Sequence, residues 1–217
     1  MPRKIVDGKI RNKARTKEKL LDAVGKILKT KGHTSLGVNR IAEVAKVDKK
    51  LIYVYFGSVD KLIESYVRRQ DFWSVLFEKS STELVEKVKN EIDATKITEE
   101  LVNLLDYFYS SKEMQKIILW EITEKNKALK NIATQREAFA GKLFEFSDSF
   151  FTNNDIDFRA LMAIQIAGLY HLVLNGMANG TTFCGIDITK EEDRKRIEQA
   201  INQIQISIFE KAQQKKK

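Results

Sequence analysis

Beyond Pro2 the chain contains no proline. Proline fixes φ and lacks a backbone donor, so it is the residue that most reliably stops a helix. With that punctuation missing from 217 residues, and only ten glycines, there are few places where a helix must end. Long helices are favoured over short strands joined by frequent turns. The same scarcity excludes collagen-like and Pro/Gly-rich disordered classes. Hydrophobic residues make up 43% of the sequence, enough for a real core, and the length suits one to two domains. The single cysteine, Cys184, excludes an internal disulfide and a cysteine zinc cluster. Two histidines, His33 and His171, leave little for a histidine metal site. An all-α, reduced, cytoplasmic protein without metal or cofactor is expected.

The formal charge of +8 is unevenly spread. Residues 1–60 hold 15 Lys/Arg and 6 Asp/Glu, a net of +9; residues 61–217 hold 23 and 24, a net of −1. The whole excess sits in the first quarter. That asymmetry points to an N-terminal module for a polyanion and a near-neutral remainder with another task. Met1 to Lys19 has no apolar stretch of signal-peptide length. The most apolar run, Ala160–Leu174, is 15 residues and falls short of the roughly 18 needed to cross a bilayer, so a buried helix and no membrane partner are expected.

Within the basic quarter, residues 1–15 are aperiodic and suggest an arm. Thr16 is a plausible N-cap, and Leu20, Leu21, Val24, Ile27 and Leu28 mark a first helix over about 16–31, stopped by Gly32. Val38, Ile41, Ala42 and Ala45 then give one apolar face of a short second helix. Asp48 can cap a third, from Lys49 to about Phe56, with Ile52, Tyr55 and Phe56 turned inward. Two short helices joined by a tight turn form a helix-turn-helix. The outward face of the third helix carries Lys49, Lys50, Leu51, Tyr53 and Val54. Lysines and tyrosine hydroxyls bond phosphates and base edges, and apolar groups touch thymine methyls. Asn39 and Arg40, at the start of the second helix, suit phosphate contact, and Tyr55 closes the candidate set on the third. Charge, periodicity and turn spacing together favour duplex DNA as the partner over a merely solvated basic helix.

Residues 16–63 resemble the N-terminal domain of the TetR family of transcriptional regulators. The resemblance rests on Gly32, Val38 with Ile41-Ala42, Val47, and above all Leu51 to Ser58 (LIYVYFGS) followed by Leu62. It covers about the first 65 residues. It implies a three-helix DNA-binding domain, here residues 1–60, followed by a helical effector-binding and dimerisation domain, residues 61–217. Three positions depart from the family pattern. Leu36-Gly37 replaces the usual threonine or serine before the second helix. Lys46 stands where the turn usually has glycine, so a left-handed lysine is expected at about 1 kcal/mol. Val59 replaces a phosphate-binding lysine, which leaves Lys61 as its substitute.

Amphipathic helices follow at about 60–79, 82–94, 98 onward (Thr98 as N-cap), 113–124 and 127–151. Asp157–Asn175 is apolar nearly all round and must be covered on every side. The last helix, about 190–212, repeats Ile197, Ile201, Ile204 and Ile208 at spacings of 4, 3 and 4, the seam of a helix bundle. These two helices could form a two-fold homodimer interface, where the resemblance also puts it, or be covered by their own chain. A dimer would present two recognition helices to successive major grooves, about 34–36 Å apart, and so read a near-palindromic operator. By the resemblance, Trp73, Phe77, Tyr107 and Trp120 are possible lining residues of a pocket for a small-molecule effector. No Gly-rich phosphate loop, H-E-x-x-H or G-x-S-x-G is present, so no enzyme and no catalytic residue is expected. A ligand-responsive DNA-binding regulator, a repressor, is the expected function. The rival is a helical-bundle small-molecule-binding or scaffold protein whose basic N-terminus is incidental.

Overall fold

The first helix starts well before the apolar positions that predict it. A computed structural model describes residues 9–79, 93–151 and 155–214. In it α1 runs Lys9–Lys31, and Thr16 lies inside the helix with its hydroxyl donating to the Asn12 carbonyl at 2.8 Å. The expected arm is thus helical from residue 9, because lysine, arginine and alanine sustain a helix without an apolar stripe. Lys29 and Lys31 fill its last turn, where cations suit the helix dipole, and Gly32 leaves it at φ 79°.

A 3-10 turn at His33–Ser35 leads to α2 (Val38–Ala45), α3 (Lys50–Phe56) and α4 (Val59–Gln70). The turn between α2 and α3 is closed by Lys46 at φ 54°, ψ 49°, the left-handed lysine expected there. The Asp48 carboxylate accepts from the Lys50 backbone N–H at 2.8 Å, so it caps α3 as predicted. Gly57, at φ 83°, turns the chain, and the Ser58 hydroxyl caps α4 by accepting from the Lys61 N–H at 3.1 Å. The linking helix expected over 60–79 is two helices. Asp71 adopts an extended conformation between α4 and α5 (Phe72–Lys79), a break that the unbroken run of apolar positions conceals.

The remaining described helices are α6 (Ala94–Ser110), α7 (Lys112–Thr123), α8 (Lys127–Phe151), α9 (Phe158–Asn179) and α10 (Glu191–Gln214). Asp93, and not Thr98, caps α6 by accepting from the Lys96 N–H at 2.9 Å. Thr98 lies one turn inside and donates to the Ala94 carbonyl. The helix expected at about 82–94 lies outside the described residues, Asp93 and Ala94 excepted, as does the Asn153-Asn154 terminator. Among the described residues there is no strand.

The chain divides into two compact units, Met1–Asp71 with Lys116–Thr134, and Phe72–Gln115 with Gln135–Lys217. In the first unit Leu20, Val24, Ile27, Ile41, Ile52 and Leu62 are fully enclosed. Ile117, Trp120, Ala128, Leu129 and Ile132, from a part of the sequence over fifty residues away, belong to the same core. Helix α1 passes α4 closely at Gly25: a Cβ there would lie 2.7–2.9 Å from the Tyr66 ring and hydroxyl.

In the second unit α5, α9 and α10 all pack on α6, whose Leu101, Leu104, Leu105 and Phe108 are buried. Phe151 stacks on Phe158, and Phe209 meets both rings edge-on. Helix α9 is not covered on every side. It is 22 residues long, and of its most apolar 18-residue window, mean hydropathy 1.4, only 22% is buried. By length and composition it could therefore cross a bilayer, contrary to the shorter run expected. Its open side carries Ala160, Ala163, Ile164, Ala167, Gly168 and His171, and Ile164 is 70% exposed. The isoleucine seam of α10 is split: Ile201 and Ile208 are buried within the chain, while Ile204 is exposed.

Candidate nucleic-acid interface

The residues expected to contact DNA fall on the α2–α3 corner of the first unit. Ile41, Ala42, Ala45 and Ile52 are buried, and that core fixes the angle between two helices too short to be stable alone. Tyr53 and Val54 project from α3, 53% and 69% exposed, and Lys49 and Lys50 are exposed at its start. The Lys49 ammonium donates to the side-chain carbonyl of Asn39 at 3.4 Å, so the two helix starts present one polar patch. Arg40 is exposed beside it, 3.5 Å from the Glu43 carboxylate, a surface pair that a phosphate can displace. Lys46 is exposed at the turn.

Three of the expected residues are placed differently from these. Leu51 is half-buried. Tyr55 packs against the core, with the Lys13 ammonium 5.9 Å from its ring centroid. Lys61 sits on the first turn of α4, and its ammonium is 2.9 Å from the Glu64 carboxylate. Glu64 is 7% exposed and also meets Arg68 at 3.5 Å and the Asn131 amide at 3.4 Å. Burial alone would raise its carboxyl; the hydrogen bonds from Lys61 and Asn131 and the charges of Lys61 and Arg68 outweigh it and hold the group below the usual glutamate range.

Of the residues expected around an effector, Trp73 and Tyr107 come together in the second unit. The Trp73 indole N–H donates to the Tyr170 hydroxyl at 3.2 Å. Phe72 bridges to both, 5.1 Å from Trp73 and 5.7 Å from Tyr107, and Phe108 lies 4.6 Å from Tyr170. Trp120 is 4% exposed in the core of the first unit. The side chain of Phe77 lies outside the described residues. Sequence periodicity did not single out Tyr170 or Phe72 as partners of Trp73, since tertiary contacts across about a hundred residues leave no local signal. Among the described residues no group of three His, Cys, Asp or Glu side chains could hold a metal ion.

No protein-family model and no curated protein sequence matches the chain. Solved structures do. The transcriptional regulator FadR from Bacillus subtilis, in complex with stearoyl-CoA, is similar with a TM-score of 0.59 at 15% identity, over 88% of this chain and 97% of that one. NalD, the secondary repressor of the MexAB-OprM multidrug efflux pump in Pseudomonas aeruginosa, has a TM-score of 0.58 at 16% identity, over 88% and 95%. A TetR/AcrR-family transcriptional regulator from Aquifex aeolicus VF5 has 0.50 at 18%, over 87% and 96%. The described residues are helical without a strand, and these likenesses cover 87–88% of this chain: it has the fold of the TetR-type transcriptional regulators.

Proposed function

We propose that this protein is a ligand-responsive transcriptional repressor that binds a near-palindromic DNA operator as a homodimer. The observation that carries this is the α2–α3 corner. A buried core holds a short helix whose free face offers Lys49, Lys50, Tyr53 and Val54 (two cations, a phenol and an apolar group), with Asn39 and Arg40 alongside. Cations and amides fix register on phosphates, and Tyr53 with Val54 is suited to base edges and thymine methyls. Tyr55 supports α3 from below, and Lys61 reaches phosphate only by leaving Glu64. The domain split at residue 60 remains the division of tasks we assign: DNA reading before it, effector binding and dimerisation after it.

The dimer forms through α9 and α10. An apolar 22-residue helix with an open face of alanine, glycine and isoleucine has the surface a second copy would cover, and Ile204 continues it on α10. The effector is a small molecule with a large apolar part, bound near Trp73 and Tyr107, whose aromatic neighbours suit such a group. The stearoyl-CoA held by the FadR structure is a ligand of that kind. Its binding favours one spacing of the two recognition helices and so changes operator affinity by no more than its own differential affinity for the two arrangements. The protein acts in the cytoplasm, where its DNA is.

Selection of duplexes from random-sequence DNA by the purified protein tests the proposal. A near-palindromic consensus is expected, with binding weakened about tenfold or more by K49A together with Y53A while unfolding is unchanged. No preference over competitor duplex at moderate salt would overturn it.

A further inference from the structure

We propose that the N-terminal half of α1 is a second DNA-contacting element, in which Lys13 and Lys17 grip phosphates flanking the bases that α3 reaches. The proposal rests on the reading of the first unit as a DNA-binding unit. Lys13 and Lys17 lie one turn apart, and each ammonium is held over an aromatic ring at the end of α3: Lys13 is 5.9 Å from the Tyr55 centroid and Lys17 is 5.5 Å from that of Phe56. Cation–π contact draws a lysine toward a ring face without neutralising its charge. The recognition helix therefore carries two ordered positive charges on its flank that its own sequence does not supply.

The acidic residues of α1 are disposed to leave these charges uncompensated. Glu18 and Asp22 both face α4, where Arg69 meets them at 2.7 and 3.3 Å. Among the described residues neither Lys13 nor Lys17 has a carboxylate partner. Arg15 and Lys19 add exposed charge on the same half of the helix. An ammonium is a point charge that binds phosphate without reading sequence, so these lysines contribute affinity and not specificity.

Salt titration of duplex binding separates this element from the corner itself. The probes are a duplex selected from random-sequence DNA by the wild-type protein and a scrambled duplex of equal length. Removing two phosphate contacts should reduce the slope of log affinity against log salt by about 2 in K13Q/K17Q, equally on both duplexes, so that discrimination between them is kept. K13R/K17R should retain the wild-type slope. K26Q, which removes one exposed charge from the other half of α1, should leave the slope unchanged. If the wild type selects a duplex and K13Q/K17Q keeps its slope, or K26Q lowers it as much per charge, this inference fails and the proposed function stands. If the wild type selects no duplex, both fall. Unfolding measured alongside should show all four proteins folded, with the midpoint of K13Q/K17Q lowered only by the loss of its two cation–π contacts.

Discussion

The imidazole of His33 lies almost flat on the indole of Trp120, with ring centroids 5.0 Å apart and planes 12° from parallel. The two residues are 87 positions apart in sequence, and His33 sits in the turn that delivers the chain from α1 to α2. Its Nε2 is also 2.9 Å from the Glu124 carboxylate, and the Lys116 ammonium donates to the carbonyls of Leu28 and Lys29 at the end of α1. The last turn of α1 is thus capped by a cation from α7, which satisfies carbonyls that a helix end leaves open.

Trp120→Ala should therefore destabilise the helix-turn-helix unit and not merely α7. Removing a buried tryptophan costs about 3–5 kcal/mol. Urea unfolding followed by circular dichroism checks this; a loss under about 1 kcal/mol would mean that the stack and the pocket around it contribute little.

Gly25→Ala sets two effects against each other. Alanine gains about 1 kcal/mol in helix propensity, but its Cβ would press into the Tyr66 ring at 2.7–2.9 Å, and overpacking costs about 1–3 kcal/mol. Tyr66 is buried and has little room to yield. A lower melting temperature is expected, and a higher one would show that α1 and α4 separate easily.

Lys46→Gly should act in the opposite direction. Its backbone is left-handed, at φ 54°, so glycine relieves about 1–2 kcal/mol of strain, partly offset by about 0.5–1 kcal/mol for glycine's greater chain entropy. The side chain is exposed, so little packing is lost. Thermal unfolding of the variant should occur at higher temperature than that of the wild type.

Glu64 predicts a pH dependence. Its carboxyl is held low in the folded chain, so its contribution is present above the ordinary glutamate value and is lost as pH falls through the folded one. Glu64→Gln should cost about 1.5–3 kcal/mol at neutral pH, the range for hydrogen bonds to a charged group. The gap between the two proteins should be full above about pH 5 and narrow in more acid solution. Unfolding free energies at several pH values measure it; a gap independent of pH would remove the charge from the account.

Ile164→Glu tests the open face of α9. The residue is 70% exposed in the single chain, so the folded monomer should tolerate the change within about 0.5 kcal/mol. Sedimentation at micromolar concentration should show a dimer for the wild type and 25.0 kDa for the variant. Wild-type protein at 25.0 kDa throughout would count against α9 and α10 as a dimer face.

Features with a local physical cause were legible in the sequence. The apolar positions of α2, the Asp48 cap and the left-handed Lys46 each depend on neighbours a few residues away, and each stands where it was expected. Boundaries that lack an apolar signal were not. Helix α1 is already formed at Lys9 because these early turns are built from good helix formers that carry charge and no stripe. Asp71 interrupts a run of apolar residues whose spacing suits one helix or two. Periodicity also says which face of a helix is apolar but not what covers it. Ile201 and Ile208 turn into their own chain while Ile204 does not, and Trp120, a possible pocket residue by the resemblance, is part of the core of the first unit.

The reliance of the helix-turn-helix on Ile117, Trp120, Leu129 and Ile132 limits how this protein can be taken apart. A cassette of residues 1–71 fused to another protein would carry a bare oily flank where those side chains had been. It would be expected to aggregate or to need a helper peptide. A working graft has to bring residues 116–134 along as a second insert, or reconnect the two stretches directly with a designed loop.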